Sequence, residues 1–190
     1  MIYREYCTID EENGKPGKIE FHYPENFNFA YDVVDRIAKS DPEKKALVWC
    51  NTEGDERILS FSDISRMSIR YAHVLLDNGI ARGDRVIVAL RRHYQYWPLA
   101  VALHRIGAVM IPVTHMLTSS DYAYRLKTSE AKAAIVTPLG STSENILSAV
   151  RSAGLATQLW TIERDIEGYR NFSEEEKDKC DEIERIETKA

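Results

Sequence analysis

From Arg85 onward the chain alternates between two periods. Four short apolar runs, 85–90, 108–113, 133–137 and 157–162, are separated by stretches of helical spacing at 95–106, 119–130 and 143–153. Each apolar run is of strand length and reads as buried on both faces, as strands of a parallel sheet do. Strand–helix–strand repeats of this kind close as a parallel sheet with right-handed crossovers and helices on its faces. The expected fold is therefore α/β: three-layer, a mostly parallel sheet flanked by helices, preceded by a helix and a β-hairpin.

The first half supplies the preceding elements. Residues 1–27 are polar, with Gly14, Pro16, Gly17 and Pro24, and read as an N-terminal arm. Asn28 can cap a helix whose apolar residues Phe29, Val33, Val34 and Ile37 share a face, and Asp41-Pro42 stops it. Residues 46–50 and 57–61 flank Glu53-Gly54-Asp55 and read as a hairpin. Ser62 is expected to cap a longer helix with Ile64, Met67, Tyr71, Val74 and Leu75 inward and Gly79 just past its end. The α/β subdomain thus spans residues 28–162. Residues 163–190 read as an acidic helical tail, with Ser173 and Glu176 at its cap and Cys180, Ile183 and Ile186 as a thin apolar stripe on a solvated helix.

Charge follows the same division. The 190 residues carry a formal net charge of −5. The tail alone holds 11 acidic and 6 basic residues, which accounts for the whole imbalance. A neutral body argues against nucleic acid as partner. Cys7, Cys50 and Cys180 are scattered and show no CxxC spacing, so they read as reduced thiols of a cytoplasmic protein. The opening MIYREYC lacks the apolar core of a signal peptide. No apolar run approaches the ~20 residues of a membrane helix.

The α/β pattern invites a search for a phosphate loop. Neither GxGxxG nor GxxxxGK[ST] is present, no pair of histidines has metal-ligand spacing, and GxSxG is absent. His73 and His104 fall within helices and read as structural. His93 lies in a basic crest, Arg91-Arg92-His93, which could meet an anionic ligand but reads first as part of a solvated loop. His115 stands out by position. With Thr114, Met116 and Leu117 it follows the strand 108–113, and open parallel sheets bind ligands beyond the carboxyl ends of their strands. This crest is expected at the end of a central strand.

Several stretches resemble a known family. Ile58-Leu59-Ser60-Phe61-Ser62-Asp63-Ile64 is similar to the early T-F/Y-x-E-L segment of AMP-forming acyl-CoA synthetases, with Asp63 in place of the usual glutamate. Gly79 to Val86 resembles their G-V-x-x-G-D-x-V, and Leu103 to Pro112 their L-x-x-x-G-A-x-x-x-P. Asn28-Phe29-Ala30-Tyr31-Asp32 and Ala46-Leu47-Val48-Trp49 are similar to acetyl-CoA and medium-chain acyl-CoA synthetases in particular. The order and spacing of these motifs, from about Asn28 to Thr137, identify the chain as resembling the N-terminal part of such an enzyme.

The resemblance implies chemistry carried largely elsewhere. The family activates a carboxylate with ATP to an acyl-adenylate and pyrophosphate, and coenzyme A then displaces AMP. Its Ser/Thr/Gly-rich phosphate loop, its adenine, ribose and Mg2+ contacts and its late lysine have no counterpart in these residues. The expected parent cofactors are ATP, Mg2+ and coenzyme A, with none bound tightly by this chain and no catalytic or metal-ligating residue in it. Thr114-His115-Met116 matches the place where acetyl-CoA synthetases set Phe-Gly-Gly beside coenzyme A, so Thr114, His115, Met116 and Leu117 are the cofactor-facing candidates, through their backbone. The expected partners are the rest of the parent enzyme and a second copy of the chain. Two other readings are a non-catalytic α/β interaction module on the same scaffold and an independent flavodoxin-like nucleotide binder.

Overall fold

The computed structural model describes residues 2–189. A 3-10 turn at Ile2–Glu5 leads into β1 (Cys7–Glu12) and β2 (Lys15–Phe21), an antiparallel hairpin. The polar arm expected over these residues is thus a paired ribbon. Its turn residues Asn13 and Gly14 both have positive φ, 54° and 71°, as a type I′ turn requires. The ribbon is exposed almost throughout. Arg36 holds it at Glu5 with two charge-assisted bonds of 2.6 and 2.9 Å, and Tyr6 packs edge-on against Phe27.

Asn28 opens the next element by accepting from the Ala30 amide. A π-helical turn, Ala30–Asp35, runs into α1 (Arg36–Ser40), which ends at Asp41. Strands β3 (Lys45–Cys50) and β4 (Glu56–Ser60) form the second hairpin, where the sequence places it. The helix that follows, α2 (Phe61–Asp77), is capped by Ser60 rather than Ser62. Ser60 Oγ accepts from the Asp63 amide and the Asp63 carboxylate accepts from the Ser60 amide, a complete capping box. β4 runs straight into α2, so its last residue has the extended backbone that a cap needs.

The main sheet comprises β5 (Arg85–Ala89), β6 (Val109–Pro112), β7 (Ala133–Val136), β8 (Gln158–Thr161) and β9 (Arg170–Asn171). All neighbours are parallel, in the order β6-β5-β7-β8-β9. The intervening helices are α3 (Tyr96–Ile106), α4 (Ser119–Ser129) and α5 (Thr142–Ala153). Thr118 and Asp121 cap α4 with the expected reciprocal box.

The two sheet faces bury separate cores. Val86 and Val88 of β5 face Leu75 of α2 and Leu99 and Leu103 of α3. Ile87 and Ala89 turn the other way, toward Tyr122 and Leu126 of α4 and Ile146 of α5. This alternation is the strand's period of two made visible, and it yields the three layers. The strand order reverses beside β5, because β6 lies on one side of it and β7 on the other. In open parallel sheets such a switch point, at the carboxyl ends, is where ligands are received.

Two expectations about the sheet change. β6 is an edge strand, not a central one, and its two end residues are exposed rather than buried. An edge position suits Pro112, which has no amide to offer a further strand. The run 157–162 is also not the last strand, since β9 follows.

The tail differs most. Its helix, α6, covers only Phe172–Glu175, capped by Asn171, whose Oδ1 accepts from the Ser173 and Glu174 amides. Residues 182–189 are non-helical and lie across α2 and the π-helical turn. Ile183 and Ile186 pack on the core of that face. Two apolar residues cannot anchor a short helix, which is marginal by itself in water. An extended strap lets both reach the core while polar groups of the body satisfy its backbone. His73 Nε2 donates to the Glu182 carbonyl at 2.8 Å, and the Ile186 amide donates to Tyr31 at 3.1 Å. The tail's charges are paired as well: Asp181 with Arg70, Lys179 with Asp77 and Arg185 with Asp32.

Candidate functional site at the carboxyl rim

Thr114 to Leu117 leave the carboxyl end of β6, as expected of a rim loop. Thr114 and Met116 are exposed, with Met116 at 76 %, while His115 and Leu117 are half-buried. The loop is held from beneath through its carbonyls. Tyr122 donates to the Thr114 carbonyl at 3.1 Å, Thr142 to that of His115 at 2.9 Å and Asn145 Nδ2 to that of Leu117 at 3.0 Å. Burial raises the Tyr122 phenol to about 12, so it stays a donor at any physiological pH. The backbone therefore has a fixed path, and its outer surface lies open.

A second polar group lies at the switch point itself. His93, expected in a solvated loop, has a side chain only 8 % exposed. Its Nε2 lies 2.8 Å from Thr137 Oγ1, and its Nδ1 lies 3.5 Å from Glu163 Oε2. Gln95 Nε2 donates to the other Glu163 oxygen at 2.7 Å. A carboxylate only accepts, so a proton on Nδ1 would suit this contact, with the Thr137 hydroxyl then donating to Nε2. His93 follows β5, Thr137 follows β7 and Glu163 follows β8. One imidazole thus ties together the ends of three strands. His93's hydrogen bond is the leading reason that the Glu163 carboxyl titrates below its usual range, against the opposing effect of burial.

Sequence reading missed Gln95, Thr137 and Glu163 because their meeting depends on strand order. Thr137 and Glu163 are ordinary polar residues just past a strand, and Gln95 stands at the start of α3. Only the adjacency of β5, β7 and β8 brings them together, and no local pattern encodes it.

Groups that could hold a nucleotide or metal were sought in the same way. Among the described residues, no three His, Cys, Asp or Glu side chains are placed to hold a metal ion. The glycines with positive φ, such as Gly79, Gly107 and Gly154, serve separate turns and helix ends, so they build no cradle of successive amides. The residues present do not fit ATP phosphates or Mg2+. No helix among the described residues is long and apolar enough to cross a membrane.

Comparison with known proteins bears on the same segments. A family profile described as AMP-binding enzyme matches residues 34–188, from the π-helical turn to the end of the strap. The chain belongs to this family. It is 38 % identical over 162 residues to the mitochondrial acyl-coenzyme A synthetase ACSM4 of Mus musculus, covering 80 % of this chain and 27 % of that protein. It is 34 % identical over 173 residues to the human mitochondrial acyl-coenzyme A synthetase ACSM1, covering 87 % and 30 %. The chain thus spans between a quarter and a third of these relatives' length. Among solved structures it superposes on an acyl-CoA synthetase of Brucella canis with a TM-score of 0.74 at 24 % identity, over 86 % of this chain and 29 % of the other. It also superposes on a benzoate CoA ligase of Burkholderia xenovorans LB400 with a TM-score of 0.64 at 24 % identity, over 79 % and 28 %. At those identities the likeness establishes the fold. The resemblance to the N-terminal part of acyl-CoA synthetases and the three-layer α/β reading therefore stand.

Proposed function

We propose that this chain is the N-terminal subdomain of an AMP-dependent acyl-CoA synthetase. The whole enzyme would activate a carboxylic acid with ATP and pass the acyl group to coenzyme A, with Mg2+ assisting adenylation. The chain alone would catalyse neither step. The observation that carries this reading is the family match over 34–188, which covers both sheet-flanking layers and the rim. Adenylation depends on positioning and on charge stabilisation of the transferring group, and one lost donor can reduce the rate by roughly 10²–10³. With the whole constellation lacking, turnover falls below detection.

Within this reading, Thr114 to Leu117 present their outer backbone to coenzyme A, because the loop is fixed from beneath and open above. The chain's other partner is the remainder of its enzyme or, without it, a second copy. Val48 and Ile58 oppose one another across the β3–β4 hairpin and are 58 % and 60 % exposed, an apolar pair that invites cover. A cytoplasmic location belongs to the proposal on the strength of three cysteines outside any disulfide; the named relatives are mitochondrial, and cell fractionation tests the point.

The deciding experiment is ATP–pyrophosphate exchange with acetate, butyrate, hexanoate, octanoate and benzoate. It is run on this chain and on one extended through the downstream reading frame. Exchange only in the longer chain is the expected result. Exchange by the 190-residue chain overturns the subdomain reading, and inactivity in both favours a non-catalytic α/β interaction module. Light scattering at high concentration tests self-association, for which a clean monomer is the adverse result.

A further inference from the structure

We propose that His93, Gln95 and Thr137 form a carboxylate-binding cradle at the switch point, in which Glu163 is the resident occupant, and that a small organic carboxylate takes the same place when Glu163 swings out. This site is separate from the Thr114–Leu117 rim and does not depend on the coenzyme A reading.

The first support is the match of donors to acceptors. The two Glu163 oxygens face two different nitrogens, Gln95 Nε2 at 2.7 Å and His93 Nδ1 at 3.5 Å. The imidazole is itself held from behind by Thr137, which is fully buried and also accepts from the Leu139 amide. A pair of preorganised donors spaced for two oxygens recognises a carboxylate whichever molecule carries it. The position is also the one where open parallel sheets receive ligands.

The second support is the way Glu163 is held. Its φ is +65°, a left-handed backbone that a residue with a Cβ adopts at a cost. The Arg164 amide closes a three-residue turn around it onto the Ile162 carbonyl at 2.7 Å. Tight turns with a positive central φ are rare and strained. The turn is kept in place by the Glu163 amide, which donates to Ser173 at 3.1 Å, by Thr161, which donates to the Arg164 carbonyl at 2.7 Å, and by the cradle around the side chain. The Glu163 side chain is 43 % exposed, so it has a path outward.

The third support is charge: Arg57, stacked on Tyr94 at 4.5 Å, adds positive potential toward the carboxylate.

The test removes the occupant and offers a free one. In the Glu163→Ala chain, acetate is titrated while the His93 ring signals are followed by NMR at constant ionic strength. A tethered occupant competes as a high local concentration. Acetate binding is therefore expected to be about tenfold or more tighter in Glu163→Ala than in wild type. The double variant His93→Leu/Glu163→Ala, followed through its Gln95 side-chain amide signals instead, should show no binding, and far-UV circular dichroism checks that each variant keeps its fold. If the alanine variant does not fold, Glu163→Gly, which also empties the cradle and suits the left-handed backbone, should show the same tightening. Equal acetate affinity in wild type and variant, an equal response to chloride, or tighter binding of inorganic phosphate than of acetate each overturns the proposal.

Discussion

The sharpest test of the packing concerns Arg105 and Asp35. Arg105 lies on α3 and is fully buried, while the Asp35 side chain at the end of the π-helical turn keeps 29 % exposure. Both guanidinium nitrogens reach the carboxylate at 2.7 Å, one of them also donates to Ser68 at 2.9 Å, and the group stacks over Tyr31 at 4.7 Å. Removing one member of a buried pair typically costs about 3–5 kcal/mol, because the other charge is left without compensation. The unequal burial makes the two halves unequal. In Asp35→Ala the stranded cation has no access to water, though Ser68 and Tyr31 still engage it, which places the loss near the low end, about 3 kcal/mol. For a domain of this size that lowers Tm by roughly 6–12 °C. In Arg105→Met the stranded carboxylate keeps the Ser65 hydroxyl at 2.7 Å and can hydrate, so the loss is about 1–2 kcal/mol. The double variant removes the stranded charge and should be more stable than Asp35→Ala alone. Urea unfolding of the four chains, followed by circular dichroism, gives the cycle. A loss below about 1 kcal/mol for Asp35→Ala, or a double variant less stable than Asp35→Ala, refutes the reasoning.

Three further outcomes follow from other parts of the chain. Gly107 has φ +69°, and a Cβ there would lie 2.9 Å from Thr188 Cγ2, so Gly107→Ala should lose about 1–2 kcal/mol and speed amide exchange at Thr188, read by urea unfolding and hydrogen exchange. Ser60→Ala removes the side-chain half of the α2 capping box and should cost about 1 kcal/mol in the same unfolding assay. The strap should loosen in acid. Arg185 holds the Asp32 carboxyl below its ordinary value of 3.8, so its stabilisation is complete above that pH and fades as the pH falls through the lowered value. Exchange at the Ile186 amide, corrected for its intrinsic rate, should therefore rise below about pH 3.8 and stay slow above it; a pH-independent rate counts against the pairing.

The second half of the fold was legible because its signals are local and periodic. The runs at 85–90, 133–137 and 157–162 became β5, β7 and β8, and the helices between them differ from expectation by a residue or so. What failed was non-local. The Asn13-Gly14 turn was legible as the strongest short hairpin signal, yet its flanks alternate too weakly to read as strands without it. The tail's Ile183 and Ile186 have helical spacing, but His73, Tyr31 and Asn28 of distant segments reward an extended path instead. Helical spacing of two residues could not reveal that competition. At the rim, the loop Thr114–Leu117 follows a strand as read, while the edge position of β6 depends on the order of strands. The same ignorance of order hid the meeting of His93, Thr137 and Glu163.

That order gives the carboxyl rim two different ends. The switch point between β5 and β7 is occupied by His93 and the residues it gathers, with Gln95 Oε1 left without a partner among the described residues. At β6 the rim loop is fixed by three side chains from α4 and α5, yet its outer surface and the strand's edge are open. A ligand or protein segment meeting this sheet therefore encounters β6 with no rearrangement, whereas entry at the switch point requires Glu163 to leave. The strap adds a constraint from the opposite end. Thr188 Oγ1 accepts from Asn28 Nδ2 at 3.0 Å, and the same Nδ2 donates to the His104 carbonyl at 2.7 Å, so residue 188 is set at the C-terminal end of α3, just before β6 begins. The strap and the open rim thus lie toward opposite ends of β6, the strap held through Asn28 and the end of α3 and the rim through α4 and α5.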